Sequence, residues 1–361
     1  MRTDATRPTS RGLSCYTENL AGYLAARAPA RADLTARSVR LAVDPATGRF
    51  SHHDRALNNL PGGRRLAYRG APDAEAALTG IAAELAGRGR VLVVADSGAL
   101  PWLSGPADAH APHLVLVDGR TPGGGWHVVD GFTALFSGGG HQEPFAGELS
   151  GAELTALLAF PRGLSEVHRA RNALAFGFPV PTPAHETYQW LAEEAGTTGE
   201  HLPGGPWLTG AAALEETARL VLGDLRGDGE RGVLEDVWAA AQHHMFRDAH
   251  LLAAGAALSP GVRRAADGVL SPGEGRASDA ALSPEERRAV DATTAKWREL
   301  PRLLRFAANS ARRGRPRPSL VTGAFADLAE LEAAASPLHA AHGYGVPTAL
   351  TDVSSHAGQG S

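Results

Sequence analysis

His113-Leu114-Val115-Leu116-Val117 and Trp126-His127-Val128-Val129-Asp130 are two short apolar runs separated by Gly119 to Gly125, a turn-forming stretch with Pro122 and three consecutive glycines. Apolar runs of this length read as buried strands, and a short Gly/Pro-rich connection between them predicts an antiparallel hairpin. Val91-Leu92-Val93-Val94-Ala95 reads as another buried strand. Ahead of it, Ala76, Ala77, Leu78, Ile81 and Leu85 predict a helix over 73–87, closed by the turn Arg88-Gly89-Arg90. The glycine run is not read as a phosphate loop, because neither Gly-Lys-Ser/Thr nor a following helix accompanies it.

The hairpin starts at His113 and ends at Asp130, so antiparallel pairing brings an imidazole and a carboxylate close together. A carboxylate that accepts one ring N–H fixes the imidazole tautomer. Upstream stands Cys15, the only cysteine in 361 residues. It follows Ser14, a candidate N-cap, and opens a helix in which Tyr16, Leu20, Tyr23 and Leu24 recur at helical spacing. A thiol at that position feels the positive end of the helix dipole, which favours thiolate. A cysteine nucleophile needs a base to take its proton and a third group to orient the base. Cysteine on a helix, then histidine and an acid from a later sheet, is the papain-type order, and Cys15, His113 and Asp130 supply it. Each residue also has a plainer reading: a buried small hydrophobe, a strand-edge histidine and a turn aspartate before Gly131. His127 competes as the base, and Asp118 and Asp96 compete as the acid; Asp96, at the end of its strand, is also a candidate substrate-binding residue.

A family resemblance adds to this. Val91 to Asp96, followed by Ser97-Gly98-Ala99-Leu100-Pro101-Trp102, resembles the strand, aspartate, loop and Leu-Pro-aromatic element of the butirosin biosynthesis protein H family. His113 to Gly119, followed by Val128-Val129-Asp130, is similar to that family's histidine strand and aspartate strand, and Cys15-Tyr16 with Leu20 resembles its cysteine helix. The resemblance covers about residues 10–160; the helical remainder, with Trp238, Arg247 and Trp297, resembles the second domain that often follows. It implies a papain-like acyltransferase of natural-product biosynthesis that takes an acyl group from the phosphopantetheine thioester of an acyl carrier protein and passes it to a small-molecule amine, either a separate acceptor or a tethered one whose attack cyclises the product. On that basis Cys15 is the acylated nucleophile, His113 the base and acid, Asp130 the orienting group, and Asp96 and Trp102 bind substrate. No cofactor or metal is expected beyond the phosphopantetheine arm of the substrate. The chain departs from the papain-like pattern at residues 9–14, Thr-Ser-Arg-Gly-Leu-Ser, where an amide for the oxyanion is often found. Asn19, one turn into the helix, is the weaker replacement, since it points away from the cap.

The expected fold is α+β: a papain-like (C39-like) domain, helix on antiparallel sheet, over 13–160, then a mainly α-helical domain over 161–350. Residues 1–12 and 351–361 are expected to be a flexible arm and tail. Within the second domain, helical segments are predicted at 185–195, 210–225, 232–257, 284–308 and 325–335. A further short helix is expected at 150–160, capped by Ser150. Gln242 to His250 places His244 and Asp248 one helical turn apart, but no further ligand spacing accompanies them, and the preferred reading is a packed helix face. Arg312-Arg313-Gly314-Arg315-Pro316-Arg317 is a basic run, read first as a solvated loop and second as a contact for an acidic carrier protein.

With 43% hydrophobic and 20% charged residues and a net charge of −4, nothing in the composition points to nucleic acid. No run reaches the ~20 apolar residues of a membrane span. The start, Met-Arg-Thr-Asp-Ala-Thr-Arg-Pro, lacks the apolar core of a signal peptide, and a single cysteine suits a reducing compartment, so a cytoplasmic location is expected. Two other functions are compatible with the same residues: a thioesterase or cysteine hydrolase, and a non-catalytic binding or scaffold protein that keeps the fold.

Overall fold

The computed structural model describes residues 13–104, 110–135, 141–158, 165–177, 180–183, 188–198, 207–227, 233–257 and 281–344. The arm at 1–12 and the tail at 351–361 lie outside the described residues. The chain opens with α1 (Cys15–Arg27), α2 (Pro29–Arg37), β1 (Val39–Asp44), β2 (Arg49–His53), β3 (Asn59–Leu60) and β4 (Arg64–Ala71). It continues through α3 (Ala74–Arg88), β5 (Val91–Asp96), β6 (Leu103–Ser104), β7 (Pro112–Arg120), β8 (Trp126–Asp130), β9 (Ala134–Leu135), β10 (His141–Gln142) and β11 (Phe145–Leu149). Then come α4 (Gly151–Leu158), α5 (Ser165–Phe176), β12 (Tyr188–Ala195), β13 (Leu208–Thr209), α6 (Gly210–Asp224), α7 (Val233–Ala257), α8 (Pro284–Arg312) and α9 (Pro318–Ala341).

The protein is mixed α+β with antiparallel sheets. The main sheet has seven strands in the order β11-β8-β7-β5-β12-β4-β3. Its central strands are buried on both faces, which explains their continuous apolar runs. Leu92, Val94, Leu114 and Leu116 pack with Tyr16, Leu20, Tyr23 and Leu24 of α1. The alternate residues Val91, Val93, Val115 and Val117 pack with Ile81 and Leu85 of α3 and with Leu154 and Leu157 of α4. Strand alternation therefore puts α1 on one face and α3 and α4 on the other. α3 has the ends its sequence asks for: Asp73 accepts from the Ala76 N–H at 2.8 Å, and Gly89 closes the helix with φ +77°. α4 begins on a reciprocal cap between Ser150 and Glu153.

Of the segment 185–195, expected to be helical, residues 185–187 lie outside the described residues and Tyr188–Ala195 is instead a central strand. β12 pairs with β4 from Tyr188↔Ala71 to Ala195↔Arg64 and with β5 through Trp190↔Val93 and Leu191↔Leu92. Ala192, Glu193, Glu194 and Ala195 favour helix locally, but the eight-residue ladder to β4 and the burial of Gln189 to Ala192 override that preference. Gly80 of α3 makes room for the strand, since a Cβ there would lie 2.4 Å from the Trp190 ring. The sheet thus runs across the boundary expected after residue 160. Beyond β13 the described chain is helical: α6, α7, α8 and α9 share a core around Trp297, Leu300, Leu304 and Phe325, joined by Leu41 and Val43 of β1. The basic run 312–317 is exposed where α8 gives way to α9, with the Arg317 guanidinium over the Phe306 ring.

Candidate active site

α1 starts where Ser14 can cap it. The Ser14 Oγ accepts the Thr17 N–H at 3.2 Å, which leaves Cys15 as the first helical residue, 5% exposed. The helix lies against β7, and its first turn meets the end of that strand, where His113 stands.

The β7–β8 hairpin forms as expected, with a register shift between Val117 and Gly119. Leu116 pairs with Val129, so Asp130 falls level with Val115, two residues along from His113. Histidine and aspartate therefore share a face and meet diagonally rather than directly opposite. His113 Nε2 and Asp130 Oδ2 are 2.7 Å apart, at 2% and 0% exposure. The Cys15 thiol and the His113 ring are close enough to act on each other's charge. With Nε2 taken by Asp130, Nδ1 is the ring nitrogen left for sulfur.

Asp130 is an acceptor for five donors. Trp102 Nε1 (3.0 Å) and Gln142 Nε2 join His113 on Oδ2, and Asn19 Nδ2 (2.9 Å) and the Phe132 N–H (3.1 Å) reach Oδ1. Burial pushes this carboxyl up, but His113 and the donated hydrogen bonds outweigh it and hold the group below its ordinary range. His113 feels burial as a downward push, yet Asp130 and the Cys15 sulfur raise it to about 10. For Cys15, burial raises the thiol, while His113 and, further off, Arg171 bring it net below its ordinary value. Both shifts run in the direction that favours a thiolate beside an imidazolium.

The competing residues are engaged elsewhere. Asp96 is buried, accepts the Gly98 N–H at 3.0 Å and pairs with His110 at 2.6 Å, so it caps its own turn. His127 pairs with Asp118 at 2.5 Å in a more exposed position. Trp102, expected to bind substrate, has its indole N–H on Asp130 and its ring stacked on Phe145 at 4.0 Å. Asn19 turns into the protein: its Nδ2 donates to the carbonyls of Cys15 (3.1 Å) and Leu114 (2.7 Å) besides Asp130. His244 pairs with Glu332 at 3.0 Å, and Asp248 with Arg247 (2.9 Å) and His339 (3.0 Å), in an ionic network between α7 and α9 that Thr294 and Trp297 of α8 join by hydrogen bonds. Among the described residues no group of three or more His, Cys, Asp or Glu is placed to hold a metal.

Two residues of the site, Gln142 and Arg171, were not foreseen, and Asn19 was weighed only as an oxyanion donor. Its role on Asp130 had a readable signal, because residues i and i+4 share a helix face and Asn19 lies one turn from Cys15. Gln142, on a two-residue strand, and Arg171, on α5, arrive by tertiary packing and carry no local signal. No family model and no curated protein matches this chain.

Proposed function

We propose that this protein is a papain-like, cysteine-dependent acyltransferase that moves an acyl group from a carrier-protein thioester through acyl-Cys15 to an amine. The observation that carries this reading is the buried cluster of Cys15, His113 and Asp130 at a helix N-terminus, with the thiol and the carboxyl held below and the imidazole held above their ordinary ranges. The thiolate attacks the thioester carbonyl, a carbon–sulfur bond forms, and the π electron pair moves onto oxygen. Collapse restores C=O and expels the carrier thiolate, which takes the proton from His113. An amine then adds to acyl-Cys15, gives its proton to His113 and leaves as the amide, while sulfur returns as thiolate. Thioester to thioester is nearly isoenergetic, and amide formation drives the second half.

The resemblance to the butirosin biosynthesis protein H family supports the carrier thioester as donor. Burial of the sulfur favours a slender substrate arm over a folded polypeptide, and shelter from water favours transfer over hydrolysis. The exposed arginines 312, 313, 315 and 317 offer an acidic carrier a surface of opposite charge. Among the described residues no helix is long and apolar enough to cross a membrane, and the reading places the enzyme in the cytoplasm.

Intact-protein mass spectrometry after incubation with acyl-carrier or acyl-N-acetylcysteamine thioesters tests the proposal. Cys15 is expected to gain the acyl mass and to lose it to added amine as amide. Loss to water at the same rate without amine would assign a hydrolase instead. No adduct on the wild type, with Cys15→Ala indistinguishable in product assays, would leave a binding or scaffold protein.

A further inference from the structure

The proposed chemistry builds negative charge on the carbonyl oxygen, and the amides near Cys15 are already spent. Asn19 uses its NH2 group on three acceptors, and its Oδ1 takes the Gly131 N–H at 3.1 Å. Gln142 Nε2 and the single N–H of Trp102 both serve Asp130. Turning any of them to a substrate would strip the carboxylate that holds His113.

Arg171 differs. It lies part-buried on α5, a helix packed on α1, and its Nη1 donates to the carbonyl of Pro112, the residue before His113, at 2.6 Å. Among the described residues no carboxylate pairs with it, and its Nε and Nη2 are unspent. A guanidinium that spends one N–H on a backbone carbonyl keeps further donors in a fixed planar fork, the geometry that receives an anionic oxygen. Its charge reaches the Cys15 sulfur and acts there in the same direction as that of His113.

We propose that Arg171 is a catalytic residue of the acyl transfer inferred above: its free guanidinium N–H groups, with the backbone N–H of Cys15, receive the oxyanion of the tetrahedral intermediate. The inference rests on that reading of the function. As sulfur adds, the carbonyl π pair localises on oxygen between the helix N-terminus and the guanidinium. As C=O re-forms, the leaving thiolate takes the His113 proton and Arg171 returns unchanged. A guanidinium here takes the place of the side-chain amide absent from residues 9–14.

Two reactions of the same sulfur separate this role from a structural one. Acylation by an N-acetylcysteamine thioester passes through an oxyanion, whereas alkylation by iodoacetamide displaces iodide and forms none. Arg171→Gln is expected to slow acylation by about 10²–10³-fold, mostly in kcat, while alkylation at pH 7 falls less than about 10-fold. Arg171→Lys, which keeps a charge and a donor for the Pro112 carbonyl, should recover part of the acylation rate. It also carries the test if the Gln variant does not fold. Equal losses in both reactions, unchanged acylation, or a comparable acylation loss in Tyr68→Phe, whose buried hydroxyl has no partner, would each overturn the assignment. If wild-type Cys15 is never acylated, the proposed function itself falls. If it is acylated and Arg171→Gln keeps pace, only the role of Arg171 is lost.

Discussion

Asp130→Asn exchanges one carboxylate oxygen for an NH2 group, and its consequences can be worked out from the hydrogen bonds around it. Oδ2 receives His113, Trp102 and Gln142, and Oδ1 receives Asn19 and Phe132. In the variant one oxygen becomes an NH2 group that faces donors whichever way it turns. The better orientation points it at the Asn19 and Phe132 donors; Asn19 keeps the Cys15 and Leu114 carbonyls, but the Phe132 N–H and the new NH2 group are left as two buried donors without acceptors. At about 1–3 kcal/mol for each unmatched buried donor, the variant loses roughly 2–6 kcal/mol, against a typical total of about 5–15. The effect on the thiol is the sharper test. Without the carboxylate, burial that pushes His113 down is opposed chiefly by the Cys15 sulfur, so the pair relaxes to neutral imidazole and neutral thiol. Because Cys15 is the only cysteine, iodoacetamide labelling followed by intact mass reads that thiol alone. Wild-type labelling is expected to stay fast well below pH 8. Asp130→Asn should label like an ordinary or buried thiol, rising only toward pH ~8.5 or above, at least ~10-fold slower at pH 7. If the variant folds, by urea unfolding, and labels with the wild-type pH profile, Asp130 does not sustain the ion pair and the reasoning is refuted.

Stability should fall on acidification before carboxylates titrate. Burial lowers His243 and His168 to about 4, below the ~6.5 of an unfolded chain, so between those values the unfolded state binds more protons. Their contribution is whole above ~6.5 and lost as pH falls toward 4, on the order of 3 kcal/mol for His243. A urea midpoint that stays flat from pH 7 to 4 would contradict this. His113, raised to about 10, has the opposite sign: its contribution is present below ~6.5 and fades as pH climbs through 10. Glu332 accepts from Arg247, His244 and Trp297 in the helical core, so Glu332→Ala should destabilise by about 3–5 kcal/mol in urea titration. Its Cys15 labelling profile should match wild type, which separates fold from site. Gly177 closes α5 at φ +75°, where an added Cβ would lie 2.6 Å from the Arg55 carbonyl oxygen. Gly177→Ala should lose at least ~1–2 kcal/mol from the left-handed conformation alone, and unchanged thermal unfolding would speak against that backbone.

What the sequence made legible follows the range of the interactions involved. The hairpin that carries His113 and Asp130 is a local unit, and its apolar runs and glycine turn identify it without knowledge of the rest. Its register is not local: the irregularity between Val117 and Gly119 decides that the two side chains meet diagonally, and nothing in Gly119–Gly125 declares it. β12 shows the converse failure. Its Ala and Glu residues favour helix, and only its neighbours β4 and β5, far away in sequence, make it a strand. Arg171 lies at that same distance. The end of its helix is set by Gly177 against Arg55 and His53, and by the Leu57 N–H on the Phe176 carbonyl at 3.0 Å. A missing amide before Cys15, read locally, looks like a missing oxyanion donor. The fold supplies amides in Asn19 and Gln142, but it spends them on Asp130, where they secure the charge of His113. With the amides so committed, stabilising a second negative charge near the sulfur calls for a group that is always positive and indifferent to local pH. Arginine meets that requirement, and a helix from the later half of the sheet's own sequence span is what delivers it.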